Sequence, residues 1–279
     1  MSYSEITYGV DNGVATVTLN RPAQLNAWTR HMDGEVRAAM TEASQDDSVR
    51  AIILTGAGRG FCAGADMNLL GDIQDETASM RGRIASVSAV DNAMPGGLSL
   101  PSDFAQRYSW LPTIPKPVIA AINGPCAGLG MVISLFCDVR FAADAAVFTT
   151  AFSRRGLIAE HGISWMLPTL VGHANALDLL LSGRKITADE AKDMGLVNKV
   201  VPLPELMDFT RAYAAEMATL VSPRSIRVMK TQVYRAMLQS LEEAILIANS
   251  EMPGSFDSED FKEGVAHFVQ RRAPKFTGR

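Results

Sequence analysis

The chain has 279 residues, of which 47% are hydrophobic and 20% charged, with a formal net charge of −4 at pH 7. This length allows a substantial core, and this composition is typical of a globular protein. The acidic balance gives no electrostatic reason to expect nucleic acid or an anionic membrane as a partner. The sequence shows no secretory signal peptide and no apolar run of about 18 residues that could span a membrane. With an odd number of cysteines, three, it predicts a cytoplasmic protein with reduced thiols.

The first part of the chain predicts strands that alternate with helices. Two β-rich runs flank the turn signal Asp11-Asn12-Gly13 and predict a hairpin. A helical pattern follows, with Thr29 as its N-cap. This alternation favours β-α crossover units and a mostly parallel sheet. The later elements predicted from short apolar runs are strands at 49–58, 117–125 and 139–143, and a buried helix at 128–138.

Two parts of the chain depart from this alternation. Residues 71–113 have weak periodicity and predict a long mobile connection with a helix at its end. After about residue 200 the strand signal stops and four helical patterns follow, with Ser222 and Ser240 at credible helix starts. We therefore expect a core over residues 1–200 and a helical subdomain over 201–279, whose apolar faces would pack on another part of an assembly.

Two glycine-rich turns, residues 58–67 and 123–131, each follow a predicted strand. Small residues let backbone N–H groups approach a ligand closely, and a helix beginning near Leu129 would direct free N–H groups at an anion. Neither turn is a Walker A loop, and neither completes a dinucleotide-binding fingerprint. Each turn alone is weak evidence of a binding site, because tight turns commonly contain glycine.

Together, and in this order, the turns resemble those of the crotonase superfamily, the enoyl-CoA hydratase/isomerase family. This resemblance covers nearly the whole chain. It implies an α/β fold with a ββα-spiral core, a C-terminal helical subdomain that mediates trimerisation, and a homotrimer or homohexamer. It also implies acyl-CoA thioester substrates, with coenzyme A as part of the substrate and no separate cofactor or metal. The matching stretches are TLNRPAQLNA (18–27), AIILTGAGRGFCAGAD (51–66), IPKPVIAAINGPCAGLG (114–130), CDVRFAADAAVF (137–148) and ITADEAKDMGLVNKVVP (186–202).

The resemblance assigns both turns to one task. The oxyanion hole of the family uses two backbone N–H groups, which correspond here to Ala65 and Leu129. Such donors stabilise the negative charge that develops on a thioester oxygen, and losing one costs about 3–4 kcal/mol. For Arg271, which matches a lysine that meets CoA phosphates, the alternative is a solvated charge in the tail. The CoA-binding positions that the resemblance implies are Gln24, Leu25, Ala27, Ala63, Met67, Phe268 and Arg271.

The two glutamates of the well-known hydratases are absent. Their places are occupied by Val132 and Phe152, neither of which can transfer a proton. The standard two-glutamate mechanism is therefore not available. Glu160, in the stretch RRGLIAEHGISW, stands at a position that resembles the catalytic glutamate of peroxisomal-type Δ3,Δ2-enoyl-CoA isomerases. We expect Glu160 to be the single acid/base, with a pKa raised by burial.

Several alternatives stay open at this point. Glu160 could simply be a helix-start residue stabilised by the helix dipole. His161 is expected to be a turn residue or an orienting neighbour, and Cys62 a packed thiol. Isomerisation from Δ3 to Δ2 is the favoured reaction, followed by hydration of a 2-enoyl-CoA with Glu160 activating water. The remaining alternatives are a non-catalytic acyl-CoA-binding homologue and an enzyme that uses Glu160 as a nucleophile.

Overall fold

The structure is a computed structural model that describes residues 2–66 and 97–279. Within these residues, the larger sheet has six strands in the order β1-β2-β3-β4-β6-β9, and a smaller sheet has the order β5-β7-β8. The strands are β1 (Ile6–Asp11), β2 (Val14–Leu19), β3 (Ala51–Gly56), β4 (Val118–Ile122), β5 (Cys126–Ala127), β6 (Val139–Ala143), β7 (Val147–Thr149), β8 (Ile186–Thr187) and β9 (Lys199–Val201).

The α-helices of the described residues are labelled here in chain order. They are α1 (Arg30–Gln45), α2 (Leu129–Leu135), α3 (Ile163–Val171), α4 (His173–Ser182), α5 (Ala188–Asp193), α6 (Leu206–Leu220), α7 (Pro223–Ala236), α8 (Leu241–Asp257) and α9 (Glu259–Gln270). In the part of the chain that the structure describes, no helix has the length and apolar character needed to cross a membrane.

The larger sheet is mostly parallel, as the alternating pattern predicts. β1 and β2 form the predicted antiparallel hairpin, whereas the pairs β2-β3, β3-β4, β4-β6 and β6-β9 are parallel. Both faces of the sheet are covered, which explains why β3 and β4 are apolar throughout. In β3, Ile52 and Leu54 face the main core with α1, whereas Ala51 and Ile53 face a second core with α6.

The four predicted C-terminal helices are present as α6 to α9. Helix α6 packs on the sheet through Leu206 and Ala214. Helix α7 is anchored to the core by buried polar contacts: the Lys230 ammonium lies 2.6 Å from an Asp138 carboxylate oxygen, and the Tyr234 hydroxyl donates to the other oxygen at 2.9 Å. Helices α8 and α9 lie beyond them and expose large apolar side chains such as Leu241 and Phe268. Trimerisation through this subdomain stays a prediction.

The connection predicted over 71–113 is described only from residue 97. Its end contains two short 3-10 turns, Ser102–Ala105 and Leu111–Thr113, where we expected a helix. Prolines 101, 112, 115 and 117 explain the difference, because each one lacks a backbone N–H and disfavours a helical conformation in the residue before it. The rest of the predicted connection lies outside the described residues.

A buried amide holds the segment after β2 to the turn after β3. Asn26 is fully buried, and its side-chain NH2 donates to the carbonyl oxygens of Ala57 at 3.0 Å and Gly60 at 2.8 Å. Its amide oxygen accepts from the backbone N–H of Arg21 at 2.9 Å. One side chain therefore satisfies three backbone groups that a turn would otherwise leave without partners.

Replacing Asn26 by Leu should lower the free energy of unfolding by about 2–4 kcal/mol, because it leaves buried backbone groups unpaired. Urea unfolding followed by circular dichroism measures the change. Asn20→Ala is the control, since Asn20 is exposed, and it should change stability by less than about 0.5 kcal/mol. Equal stability of the two variants would show that the Asn26 network contributes nothing to the fold.

Candidate active site

The two glycine-rich turns pack backbone against backbone. A Cβ atom on Gly130, in the first turn of α2, would lie only 2.4 Å from the carbonyl oxygen of Cys62. A Cβ atom on Gly124 would lie 2.1 Å from the carbonyl oxygen of Arg59. Only glycine fits at these two contacts, so the glycines bring the N-terminus of α2 directly against the turn after β3.

The two amides expected to form an oxyanion hole lie on these adjacent turns. Helix α2 begins at Leu129, as predicted, so the amide of Leu129 has no intrahelical acceptor. Trp28 pairs with the segment around Ala65: its N–H donates to the carbonyl oxygen of Gly64, and its carbonyl oxygen accepts from the N–H of Asp66. The N–H of Ala65, which lies between these two residues, therefore points away from Trp28. Within the described residues, neither amide donates a hydrogen bond.

The space between the turns is also set by glycine. Gly64 has φ +107°, and a Cβ atom there would lie 3.2 Å from the carbonyl oxygen of Ala127 and 3.9 Å from the Cα atom of Gly128. A side chain at position 64 would therefore strain the backbone and crowd the facing turn. The Asp66 carboxylate, which accepts from the Arg21 guanidinium at 2.9 Å, holds the end of this turn to the segment after β2.

Some of the predicted CoA-binding residues lie beside these turns. The Leu25 carbonyl accepts from the Ala63 amide at 3.0 Å, and Gln24 and Ala27 are joined by a backbone hydrogen bond in the same turn. Gln24, Leu25, Ala27, Ala63 and Ala65 are thus brought together at the carboxyl ends of β2 and β3. Met67 lies outside the described residues.

Phe268 and Arg271 lie on the C-terminal helix instead. Phe268 is 80% exposed and lines a cavity of about 440 Å³ between α7, α8, α9 and the tail. Arg271 follows α9 in a left-handed conformation. The contacts described for these residues do not connect them to the two glycine turns of the same chain, so their role in CoA binding stays a prediction.

The places of the two usual glutamates are apolar and buried. Val132 is fully buried in α2, and Phe152 is 6% exposed. Cys62, which lies near the first turn, is also fully buried, and burial raises the pKa of its thiol to about 12. It is a packed thiol, as expected, and its high pKa disfavours the reactive thiolate.

Glu160 lies in the turn that precedes α3. The helix begins at Ile163 with Gly162 as its N-cap and has no acidic residue in its first turn, so Glu160 is not a capping residue of this helix. Its side chain is 33% exposed, and burial raises the pKa of its carboxyl group above the ordinary value of 4.5. Among the described residues, no hydrogen-bond donor binds its carboxylate, which leaves both oxygens available.

His161 is a turn residue, as expected, with φ +58°. Burial and the nearby Arg107 guanidinium lower the pKa of its imidazole to about 4. Since the ring is therefore neutral at pH 7, its Nε2 atom, 3.6 Å from a Glu160 oxygen, makes no ion pair with that carboxylate. The ring packs edge-on against Tyr108, with 4.6 Å between the ring centroids.

A cavity of about 600 Å³ adjoins this turn. His161 and Gly162 form one side of it, and the segment 103–109 forms another. The aromatic residues in its wall are Phe104, Tyr108, Phe136, His161 and Trp165. The sequence leads us to expect that residues 71–113 form much of the acyl-chain pocket, but it does not identify the residues from elsewhere in the chain that complete this cavity. The aromatic spacing in FAQRYSW, within a stretch without helical periodicity, was the available signal.

The sequence model of the enoyl-CoA hydratase/isomerase family matches residues 9–89 and 98–279. The chain therefore belongs to the enoyl-CoA hydratase/isomerase family, within the crotonase superfamily, and the fold predicted from that resemblance is confirmed by solved structures. An enoyl-CoA hydratase of Bacillus anthracis has a TM-score of 0.85 at 28% identity, covering 99% of this chain and 100% of its own. A putative enoyl-CoA hydratase of Streptomyces coelicolor also scores 0.85, at 31% identity, covering 100% of this chain and 96% of its own.

Similar curated proteins carry both kinds of name. A probable enoyl-CoA hydratase of Rhodobacter capsulatus is 37% identical, with complete coverage of both chains. The 1,2-epoxyphenylacetyl-CoA isomerase of Escherichia coli is 33% identical and covers 97% of each chain. The names of relatives therefore include a hydratase and an isomerase. The choice between hydration and isomerisation has to be argued from the residues of this chain.

Gly64→Ala tests the importance of the approach between the two turns. The variant should reduce kcat by about 10²-fold or more, because it displaces backbone donors that act on the developing charge. Steady-state kinetics on the best acyl-CoA substrate measures the effect. Gly13→Ala is the matched control: Gly13 also has positive φ, but it lies in the β1-β2 hairpin at the opposite end of β2. A Gly64 variant with unchanged kcat would contradict this role.

Proposed function

We propose that this protein is an enoyl-CoA isomerase that moves a double bond from the Δ3 to the Δ2 position of an acyl-CoA thioester. The observation that carries the proposal is that the two usual acid/base positions hold apolar residues, while a glutamate stands at a third position. Val132 and Phe152 are apolar and buried, whereas the Glu160 carboxyl lies beside an aromatic cavity with its pKa raised by burial. A carboxyl group with a raised pKa is suited both to accept and to donate a proton near neutral pH.

The proposed reaction needs one carboxylate. Ionised Glu160 removes a proton from C2, and the electron pair of that C–H bond delocalises into a dienolate that extends from the thioester oxygen to C4. The resulting Glu160 carboxylic acid then returns the proton to C4, which leaves the double bond between C2 and C3. No water or other reactant is consumed, and the carboxylate is regenerated.

The two backbone amides would stabilise the dienolate. We assign the Ala65 and Leu129 N–H groups to the thioester oxygen, because they lie on adjacent turns and bind no other acceptor among the described residues. Neutral donors fixed by the fold need no reorganisation when charge develops, which is why they stabilise the transition state effectively. Gln24, Leu25, Ala27 and Ala63 would line the CoA approach to this point.

The C-terminal helices would complete the CoA site. We assign Arg271 to the CoA phosphates and Phe268 to packing beside them. No contact among the described residues joins either residue to the glycine turns of the same chain, so a homotrimer or homohexamer provides a way for them to contribute. The exposed apolar residues of α8 and α9 are consistent with such an assembly.

Hydration is the second candidate, because several relatives carry the name hydratase. It requires activation of water and protonation of the α-carbon, two tasks that the well-known hydratases divide between two glutamates. Since Val132 and Phe152 stand in those places, one carboxylate would have to perform both tasks. The isomerase reaction also uses one carboxylate twice, but it requires no water to be bound and activated.

Separate incubation with 3-hexenoyl-CoA and 2-hexenoyl-CoA distinguishes the two reactions. We expect the first compound to become conjugated, as followed by absorbance, and the second to take up little water. Glu160→Gln should lower kcat by about 10²–10⁴-fold, the usual contribution of a positioned acid/base. The exposed Glu216→Gln serves as the control and should retain activity. Hydration of 2-hexenoyl-CoA without isomerisation of 3-hexenoyl-CoA would overturn the proposal.

The pH dependence of kcat/KM reports the same carboxylate. Glu160 must be ionised to remove the C2 proton, so activity should fall as the pH falls through its pKa, at a pH above the 4.5 of an ordinary glutamate. His161→Asn should leave the pH of this fall unchanged, since His161 is already neutral there and asparagine tolerates its positive φ. A fall near pH 6.5 that disappears in His161→Asn would assign the proton transfer to the histidine instead.

A further inference from the structure

We propose that the cavity beside Glu160 binds an aromatic ring of the acyl group, and that Trp165 is a specificity-determining residue for it. The substrate class is thus an acyl-CoA whose acyl group carries an aryl ring. This inference rests on the proposed function, because it takes the cavity to be the place of the acyl group.

The position of the cavity fits the far end of an acyl group. His161 and Gly162, in its wall, directly follow Glu160. Phe136, another wall residue, lies at the C-terminal end of α2, whose N-terminal residue is Leu129. The seven residues of α2 span about 10 Å, so a thioester held at Leu129 would extend its acyl chain along the helix towards the cavity.

The wall contains two edge-to-face pairs of aromatic rings, beside the polar residues Asp103, Gln106, Arg107 and Ser109. Phe104 and Trp165 have ring centroids 6.1 Å apart and planes at 75°. Tyr108 and His161 have ring centroids 4.6 Å apart and planes at 68°. A further aromatic ring in the cavity would extend these pairs in the same geometry, and each good contact of this kind is worth about two- to tenfold in affinity beyond its buried area.

Contacts with neighbouring side chains hold the Phe104 and Tyr108 rings in place. Phe104 also contacts Tyr234 of α7, with 5.4 Å between ring centroids. The Arg107 guanidinium lies over the Tyr108 ring at 5.3 Å, and its Nε atom is 3.5 Å from a carboxylate oxygen of Asp33. A wall fixed in this way favours a rigid, planar group over a flexible alkyl chain, which loses more conformational freedom on binding.

Trp165 is the wall residue best placed to respond to the ligand. Trp165 is 37% exposed, whereas Phe104, Tyr108 and Phe136 are buried; the other exposed ring, His161, directly follows Glu160, so changing it would also alter the surroundings of the carboxyl group. A substitution at Trp165 therefore changes the surface that a ligand meets with little cost to the core. The indole also offers the largest π surface among the aromatic wall residues that the structure describes.

Binding of two saturated thioesters, 4-phenylbutanoyl-CoA and 4-cyclohexylbutanoyl-CoA, tests the inference by titration calorimetry. Neither acyl chain has a carbon–carbon double bond that could be isomerised or hydrated, so the result is independent of the catalytic step. The cyclohexyl group is more hydrophobic than phenyl, and a merely apolar cavity would bind it at least as tightly. We expect the phenyl compound to bind at least fivefold more tightly to the unmodified protein.

The variants Trp165→Leu and Trp165→Phe form a matched pair. Leucine keeps an apolar surface without a ring and should reduce the phenyl preference to about twofold or less, with the Kd of the cyclohexyl compound nearly unchanged. Phenylalanine keeps a ring and should preserve most of the preference. Equal affinities in the unmodified protein, or a preference that survives in Trp165→Leu, would overturn the inference.

Free coenzyme A separates this inference from the proposed function. If coenzyme A and both thioesters fail to bind, the acyl-CoA function itself fails and the inference fails with it. If coenzyme A binds and the phenyl compound shows no preference, only the assignment of an aromatic acyl group is wrong.

Discussion

The contact between the two glycine-rich turns determines the rest of the candidate site. At Gly56, Gly124 and Gly130, a Cβ atom would lie within 2.5 Å of a carbonyl oxygen of the turn after β3. Because the carbonyls of that turn point into the fold, they need donors, and two buried amides supply them. Asn26 donates to Ala57 and Gly60, and Asn123 donates to Gly58 and Gly60. The inward carbonyls are thereby satisfied, and the amide of Ala65 at the end of the turn has no acceptor among the described residues.

This arrangement places the neutral donors for the thioester oxygen and the proton-transfer group near opposite ends of α2. Neutral backbone donors lie at the N-terminus of α2, where the thioester oxygen would develop charge. The ionisable group lies near the other end of the helix, where the Glu160 turn packs through Gly162 against Phe136. Val132 and Phe152 are both buried and apolar, and an electrostatic interaction in such low-dielectric surroundings is stronger than in water. A ligand that spans both ends would have its carbonyl at one end and its remaining carbons beside the carboxyl group.

Much of the fold, but less of the site, could be predicted from the sequence. The hairpin turn, the apolar runs of β3 and β4 and the caps Thr29, Ser222 and Ser240 are local signals, and each one produced the expected element. The complete wall of the cavity could not be predicted, because it combines residues 104 and 108 with residues 136 and 165, and only long-range packing joins them. The role of Asn26 could not be predicted for the same reason: two of its three partners, Ala57 and Gly60, lie more than 30 residues away in the chain.

The environment of Glu160 bears directly on a reaction that uses one carboxylate for two carbons. A carboxylate held by an arginine has a low pKa and a fixed orientation, and both properties oppose the transfer of a proton from C2 to C4. Glu160 has neither restriction: burial raises its pKa, and within the described residues no donor fixes its oxygens. Its neutral neighbour His161 adds no charge that would favour the ionised form. A turn residue of this kind can present one oxygen to C2 and then the protonated group to C4, which a rigid ion pair could not do.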